Sequence, residues 1–286
     1  MQANLIYDVG MGNGDDTAYY LSRCFRVVAI EANPAMVEQA SRRFEREIAA
    51  GTLSILNIGI CEKEGELPFW ICDSFSDWSS FVQSVASRGG TAHHEIQVTC
   101  RRFQSVLTEF GVPYYLKVDI ERKEINCLRD LTAFTDLPKY VSFEQNYCAK
   151  EALPLLHKLG YTGFKLISQR NFLAVEYPPT QEERSLARAC RLLQSRNPFA
   201  RAARKVGMRR WLESKIDRPR RRNGWTFPLR SSGPFGEDIP GRWQGIDEIT
   251  ATLAKVYADC QAGVASVFWD TDSFGFWADF HARREG

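Results

Sequence analysis

The chain has 286 residues, of which 44% are hydrophobic, and its formal net charge at pH 7 is +2. This length predicts one core domain with an appendage, and the small net charge excludes a polycation. Eight cysteines are scattered without a C-x-x-C pair, which excludes a zinc ribbon or redox dithiol and favours a reducing compartment. The first residues lack a basic-then-apolar signal, and no apolar run approaches ~18 residues, so we expect a cytoplasmic protein without a transmembrane segment.

Short apolar runs alternate with helix-forming segments through the first half of the chain. Strands are predicted at residues 4–9, 26–31, 53–58, 114–121 and 139–144, and helices at 15–23, 34–49, 123–133 and 150–159. This alternation is typical of a parallel sheet with helical crossovers. "TGFKLIS" and "NFLAVEY" (162–168 and 171–177) then predict an antiparallel terminal hairpin. We therefore expect an α/β fold with a Rossmann-like, doubly wound, mostly parallel seven-stranded sheet.

The composition changes near residue 178, which predicts a domain boundary. Residues 1–178 are expected to form the ligand-binding domain, with a polar and aromatic insertion at about 61–103. Residues 179–286 are expected to form a basic, largely helical C-terminal extension that acts as a lid or acceptor-binding region. Its segment 184–222 is rich in arginine, which indicates either a solvated helical face or a surface for an anionic partner.

The segment "DVGMGNGDD", residues 8–16, places three glycines at alternate positions directly after an apolar strand. Glycine permits a positive φ and a close approach to a ligand, and the amides of the following helix favour an anionic group. The dinucleotide fingerprint G-x-G-x-x-G needs a glycine where this chain has Asp15, and the Gly-Lys-Ser/Thr ending of a P-loop is absent. Asp8 also disfavours a pyrophosphate, because like charges repel each other.

The pattern D-x-G-x-G-x-G resembles the first motif of the class I, Rossmann-like S-adenosylmethionine-dependent methyltransferases. In that ligand an ammonium and a sulfonium carry positive charge that Asp8 can offset, while the loop amides meet the carboxylate. Glu31 ends the second predicted strand, where an acidic residue binds ribose hydroxyls. The resemblance implies S-adenosylmethionine as cofactor and contacts from Asp8, Gly10, Gly12, Asn13, Gly14, Thr17, Glu31, Ala32, Asn33, Gly59, Ser79, Ser80 and Asp119.

Further motifs narrow the resemblance. "AIEANP", "SILNIGI", "WSSF" and above all "LKVDIERKEINCLRDL" are similar to segments of the FkbM-type methyltransferase family, and the similarity spans roughly residues 4–176. The family motif K-x-D-x-E-G is matched by Lys117, Asp119 and Glu121, whereas Arg122 replaces its glycine. This departure leaves the shape of the loop open. The resemblance implies methylation of a hydroxyl oxygen on a sugar, a glycan or a glycosylated natural product.

Methyl transfer from a sulfonium is an in-line displacement that needs alignment, and a base assists a hydroxyl acceptor. Ligands of open α/β sheets lie beyond the carboxyl ends of the strands, where Asp119, Glu121 and Glu144 are predicted. Asp119 is the first candidate for the base, Glu144 the second, and His94, in a tract predicted to be flexible, the third. The three carboxylates can instead hold Mg²⁺ or Ca²⁺. Alternatively, Glu121 caps the following helix and Glu144 is a surface carboxylate.

Two rival functions remain open. A nucleic-acid methyltransferase would use the basic segment, but an exocyclic-amine methylase usually has an N-P-P-Y-like tetrapeptide where this chain has residues 119–122. A ribose methylase places a lysine before the glycine loop, and the first lysine here is Lys63. A non-catalytic protein that binds the cofactor or RNA is the second rival, although Asp8, the glycines and Glu31 are all present. The expected partners are a small-molecule or glycan acceptor, in some cases anionic, less readily a nucleic acid, and a second copy of the chain.

Overall fold

A computed structural model describes residues 1–145, 148–194, 198–216, 221–222, 224–228, 231–269 and 276–285. The chain folds as two compact units, residues 1–162 with 282–286, and residues 163–281. The predicted functional division into 1–178 and 179–286 stays a prediction.

The first unit contains an alternating series of strands and helices. Its strands are β1 (Gln2–Val9), β2 (Arg26–Ile30), β3 (Leu53–Leu56), β4 (Gly59–Ile60), β5 (Gly65–Cys72), β6 (His93–Arg101), β7 (Pro113–Val118) and β8 (Tyr140–Glu144). Its helices are α1 (Asp15–Ser22), α2 (Pro34–Arg43), α3 (Glu45–Ala49), α4 (Gln83–Ala86), α5 (Phe103–Phe110), α6 (Glu124–Asp130) and α7 (Ala149–Lys158). Strand β9 (Tyr161–Ser168) begins at the division between the units.

The described residues of the second unit include four α-helices. It contains α8 (Gln181–Gln194), α9 (Pro198–Lys205), α10 (Met208–Ile216), the short antiparallel pair β10 (Arg221–Arg222) and β11 (Trp225–Thr226), and α11 (Ile246–Gln261). Strand β12 (Ala278–Arg284) lies near the end of the chain. The helical character predicted for the extension is therefore present in its described residues.

The main sheet has seven strands in the order β3-β2-β1-β7-β8-β12-β9. The pairs β1–β2, β1–β7, β2–β3 and β7–β8 are parallel. The predicted fold class is confirmed. Because the carboxyl ends of parallel strands meet at one edge, the loops after β1, β2, β7 and β8 lie together there, and this edge positions the candidate site.

The predicted terminal hairpin is present, but it is shorter than predicted: the Ser168 N–H donates to the Leu173 carbonyl oxygen at 3.0 Å and the Val175 N–H to that of Leu166 at 2.7 Å. Beside β9 the sheet contains β12 from the end of the chain, whereas residues 171–177 contribute an isolated antiparallel bridge between Ala174 and Ile167. Phe164 and Gln244 exchange backbone hydrogen bonds of 2.8 Å in both directions. Because this pairing occupies the backbone groups of Phe164, residues 171–177 cannot extend along β9 as a full strand.

The helix predicted at residues 34–49 divides into α2 and α3. Asn33 caps α2, since its side-chain oxygen accepts the Ala35 N–H at 3.0 Å, and Pro34 occupies the first turn. Phe44 leaves the helical region at φ −113° and separates the two helices. Its ring lies where a Cβ on Gly14 would be, so Phe44 packs directly against the glycine loop.

The insertion forms a small three-stranded sheet in the order β4-β6-β5. His93 and His94 pair with Cys72 and Ile71 in the antiparallel β5–β6 ladder. The prediction of a flexible tract around the two histidines is therefore wrong, because backbone pairing fixes them in a strand.

The described cysteines are free thiols, as the composition predicted. Among the described residues, no helix has the length and apolar character needed to cross a bilayer. The predicted cytoplasmic location and the predicted homo-oligomer stay predictions.

Candidate active site

The loop between β1 and α1 carries its glycines in left-handed conformations, with φ of 83° at Gly10, 55° at Gly12 and 81° at Gly14. A Cβ on Gly10 would lie 1.7 Å from the Asp119 carbonyl oxygen, so only glycine permits this approach to the end of β7. A Cβ on Gly12 would meet nothing within 4 Å. The Asn13 side-chain oxygen accepts the first N–H of α1 at 3.0 Å. The loop is thus packed at Gly10 and open at Gly12, where a ligand can lie.

Lys117, near the end of β7, connects the loop to the sheet. Its Nζ donates to the Gly10 carbonyl oxygen at 2.7 Å and lies 3.0 Å from Asp8 Oδ1. The carboxylates of Asp16 and Asp119 each lie 3.9 Å from the same nitrogen. Burial alone would lower the pKa of Lys117, but the carboxylates of Asp8, Asp119 and Asp16 outweigh it and raise that pKa. A charged lysine therefore holds β1, β7 and the glycine loop together.

Asp8 and Thr17, two predicted cofactor contacts, lie beneath the loop. Both side chains are fully buried, and Thr17 Oγ1 donates to Asp8 Oδ2 at 2.7 Å. Their side chains contact each other and Asp8 contacts Lys117, and their predicted contacts with the cofactor stay predictions.

Glu31 follows β2 and faces the glycine loop. Its Oε2 accepts the Gly12 N–H at 2.9 Å and its Oε1 accepts the Asn33 N–H at 2.8 Å. Burial raises the pKa of Glu31, and the two backbone N–H donors partly offset that rise. Asn57 Nδ2 donates to the Glu31 and Ala32 carbonyl oxygens at 2.9 Å and 3.2 Å. These contacts fix the carboxylate beside the open side of the loop, where the sequence predicts the ribose acceptor.

The turn after β7 has two successive non-glycine residues at positive φ, Glu121 at 52° and Arg122 at 82°. Arg122 therefore adopts the conformation that glycine adopts without strain. Arg122, which replaces the glycine of the family motif, therefore preserves a left-handed turn. Because it has a Cβ, its backbone is strained in this conformation.

The insertion contacts this turn through Arg88 and Ser80. The Arg88 guanidinium pairs with the Glu121 carboxylate and lies 5.0 Å from the centre of the Trp78 ring. The Ser80 hydroxyl is buried and donates to the Glu121 carbonyl oxygen at 2.9 Å. Burial and the neighbouring Asp119 raise the pKa of Glu121 to about 7, although Arg88 lowers it. Glu121 thus joins the insertion to the sheet edge.

Three carboxylates meet at the edge: one oxygen from each of Asp119, Glu124 and Glu144 lies within 4.8 Å of the others. Glu124 is fully buried and accepts the Arg122 N–H at 3.0 Å. The sequence-based trio of Asp119, Glu121 and Glu144 is therefore corrected, because the left-handed turn directs Glu121 toward Arg88 and Glu124 completes the cluster. Such a set can ligate one divalent cation through oxygen, or hold a proton between carboxyl groups.

Asp119 has access to solvent, since 36% of its side chain is exposed. Burial raises its pKa, Lys117 lowers it, and Asp8 and Asp77 raise it further. Its backbone N–H donates to the Val9 carbonyl oxygen at 2.8 Å, which places Asp119 directly beside the start of the glycine loop. An accessible carboxylate of raised pKa is thus held at the mouth of the loop.

His94, the third candidate base, lies on the insertion. Its side chain is 57% exposed, and its Nδ1 lies 2.7 Å from Asp73 Oδ1. It takes no part in the carboxylate cluster. The ring of His94 therefore contacts Asp73 on an exposed strand of the insertion.

Gly59 and Ser79 support the insertion. A Cβ on Gly59 would lie 2.2 Å from the Phe81 ring, so the glycine lets β4 pack against that aromatic side chain. Ser79 Oγ accepts the Cys72 N–H at 3.2 Å. Their predicted contacts with the cofactor stay predictions.

Sequence reasoning missed the roles of Lys117, Glu124 and Arg88. Two signals were present: a lysine inside the otherwise apolar strand "YYLKV", and an acidic residue that opens α6. Nothing in the sequence connects Arg88 to Glu121, because the two residues are 33 positions apart and β6, α5 and β7 lie between them in the chain.

Comparison with known proteins identifies the family. The family model described as "Methyltransferase FkbM domain" matches residues 8–162. No curated protein matches the chain.

Solved structures give distant likenesses. Precorrin-6y C5,15-methyltransferase from Geobacter metallireducens is 11% identical, with 59% of this chain and 70% of that chain covered and a TM-score of 0.34. The [4+2]-cyclase SpnF is 10% identical over 99% and 75%, with a TM-score of 0.36. Phosphoethanolamine N-methyltransferase 2 from Haemonchus contortus, solved with S-adenosyl-L-methionine, is 10% identical over 100% and 49%, with a TM-score of 0.35. At these TM-scores the likenesses do not indicate which acceptor is methylated.

The matched segment covers more than half of the chain, and it contains the end of β1, the glycine loop, Glu31 and the carboxylate cluster. The chain therefore belongs to the FkbM methyltransferase family, and its methyl donor is S-adenosylmethionine.

Proposed function

We propose that the chain transfers the methyl group of S-adenosylmethionine to a hydroxyl oxygen of a sugar, a glycan or a glycosylated natural product. The observation that carries this proposal is the position and the raised pKa of Asp119. Its backbone borders the glycine loop, and its carboxyl group retains access to solvent and has a raised pKa. Such a group is suited to receive the proton of an acceptor hydroxyl.

The residues of the site fit this cofactor. The open side of Gly12 leaves room for a ligand against the backbone. Each oxygen of Glu31 accepts one N–H, which leaves further acceptor capacity for ribose hydroxyls. Asp8, Thr17 and Lys117 hold the loop in this shape from below.

The proposed chemistry is a displacement at the methyl carbon. When bound, the cofactor supplies a methyl group on a sulfonium, whose sulfur leaves as a thioether. Asp119 accepts the hydroxyl proton as the acceptor oxygen forms its new bond to carbon. The raised pKa of Asp119 brings its basicity closer to that of a neutral-pH base. Glu144, which shares the cluster, is proposed to orient the acceptor.

The test is turnover with isotopically labelled cofactor and a panel of sugar and glycoside acceptors. Asp119→Asn should lower kcat by at least ~100-fold, while the cofactor affinity measured by calorimetry changes little. His94→Gln should retain full turnover, because His94 contacts Asp73 on the exposed insertion. Near-normal turnover in Asp119→Asn would remove Asp119 as the base, and loss of turnover in His94→Gln would transfer that role to the histidine.

Chelation separates a base from a metal ligand at the cluster. If Asp119 acts as the base, turnover should survive EDTA, because Lys117 already balances part of the negative charge. Loss of turnover that Mg²⁺ restores would instead make Asp119, Glu124 and Glu144 a cation site. Glu124→Gln would then lower the metal affinity.

Nucleic-acid methylation is the second candidate, because the described part of the basic segment 184–222 exposes several arginines on α8 to α10. Residues 195–197 and 217–220 of that segment lie outside the described residues. Methyl transfer to RNA or DNA, with none to any glycoside, would favour this function. Tight cofactor binding with no S-adenosylhomocysteine formed from any acceptor would favour a non-catalytic binding protein.

A further inference from the structure

Helices α9 and α10 and the two residues between them expose large apolar side chains. Phe199 is 86% exposed, Val206 78%, Trp211 58% and Met208 46%. Isolated exposed apolar residues are ordinary on protein surfaces, but four within thirteen residues indicate a binding surface. We call these four residues the apolar strip.

The apolar strip is distinct from the inner faces of the helices. Ala187 of α8, Ala200 of α9 and Leu212 of α10 are buried, and the three helices contact one another. At 100° per residue, Phe199 and Val206 fall on one side of α9 and its continuation, about 100° or more from Ala200. The helices therefore already have a core, and the apolar strip faces outward.

Basic side chains accompany the apolar strip. Residues 184–216 contain ten arginines and lysines and one acidic residue, Glu213. The exposed ones include Arg188, Arg191, Arg201, Lys205, Arg210 and Lys215. Among the described residues, no carboxylate pairs with any of these six. Lys215 Nζ lies 5.6 Å from the centre of the Trp211 ring, so cation and indole share one part of the surface.

We propose that α8, α9 and α10 bind the surface of an anionic lipid bilayer. Helices that lie on a membrane combine apolar side chains, which enter the headgroup–acyl boundary, with arginine and lysine, which attract anionic headgroups. Tryptophan suits this interface because its ring is apolar and its N–H is polar. Single-stranded RNA would also bind the cations and stack on the aromatic rings, but the aliphatic side chains of Val206 and Met208 offer it neither a charge nor a ring for stacking.

This contact would hold the protein on the membrane without a spanning helix, since α8, the longest of the three, has 14 residues. It goes beyond the proposed methyl transfer and does not depend on it. The apolar strip and the basic residues belong to residues 163–281, outside the segment matched by the family model.

The test is flotation of the full chain with vesicles made of equal parts phosphatidylglycerol and phosphatidylcholine, compared with phosphatidylcholine alone. Binding is expected only to the anionic vesicles and should fall with added salt. The double variant Arg188→Gln/Arg191→Gln should weaken binding roughly 30-fold. The double variant Phe199→Ser/Trp211→Ser should weaken it on the order of 100-fold. Circular dichroism of each variant checks that its fold is retained.

Matched controls lie in other elements. Arg42→Gln/Arg46→Gln removes two exposed arginines of α2 and α3, and Ile48→Ser/Val264→Ser removes two exposed apolar side chains. Both should leave vesicle binding unchanged. Absence of flotation, flotation that survives both test variants, or flotation weakened equally by the controls would overturn the proposal. A mobility shift with single-stranded RNA in a chain that ignores vesicles would assign the surface to nucleic acid and overturn it as well.

Discussion

Replacing Lys117 by methionine tests whether the charged lysine organises the glycine loop. Its side chain is 5% exposed, and that of its partner Asp8 is fully buried. Methionine has a similar length and removes the positive charge, the ion pair of 3.0 Å and the hydrogen bond to the Gly10 carbonyl oxygen. Asp8 then keeps only Thr17 as a donor for a charge enclosed in the core.

The expected loss follows from the uncompensated carboxylate. Removing one partner of a buried ion pair costs about 3–5 kcal/mol, because the remaining charge has neither water nor a counter-charge. The lost donor to Gly10 falls within this range, since a typical hydrogen bond contributes about 1 kcal/mol. For a unit of this size, Tm should fall by on the order of 10 °C.

The assay is thermal and urea unfolding followed by circular dichroism. Lys150→Met, an exposed lysine of α7, is the control and should change Tm by less than about 2 °C. The double variant Lys117→Met/Asp8→Asn should recover part of the loss, because it removes the orphaned charge. If Lys117→Met unfolds like the wild type, or if the double variant is simply additive, the lysine does not hold the loop through Asp8.

Three further outcomes are expected. Glu31→Ala should lower the affinity for S-adenosylmethionine in calorimetry by roughly 10- to 100-fold, because acceptors for ribose hydroxyls are lost. The control is Glu38→Ala, which changes an exposed glutamate. Equal affinities in both variants would reject the role of Glu31. Arg122→Gly should raise the free energy of unfolding by about 1 kcal/mol, because glycine adopts φ 82° without strain, and a less stable variant would show that the turn is unstrained. Burial, with a smaller effect from Lys165, lowers the pKa of His281 to about 3. This folded-state pKa lies below the ordinary value. The contribution of neutral His281 to the free energy of unfolding is therefore complete above about pH 6.5 and is lost as the pH falls toward 3. His281→Gln should therefore lose about 2 kcal/mol less than the wild type between pH 7 and pH 5 in urea unfolding, and parallel losses would refute the assignment.

Features that depend on short spacing were predictable from the amino-acid sequence. An apolar run, three alternating glycines and a strand-end acid lie within a few residues of one another, and local backbone rules translate them into strand, loop and helix. The glycine loop, the position of Glu31 beside it and the parallel order of the first strands were predictable for that reason. Asp119 was predictable as well, since a residue that directly follows a buried strand must lie at its carboxyl end.

The groups that come from distant parts of the chain to share the site were not predictable in this way. Glu124 rather than Glu121 completes the carboxylate cluster, because a left-handed turn at Glu121 and Arg122 redirects the side chains and Arg88 occupies the first carboxylate. Strand β12 likewise lies between β8 and β9 in the sheet, although more than one hundred residues separate it from β9 in the chain. Such choices rest on backbone pairing and charge contacts between segments remote in sequence, which no local pattern records.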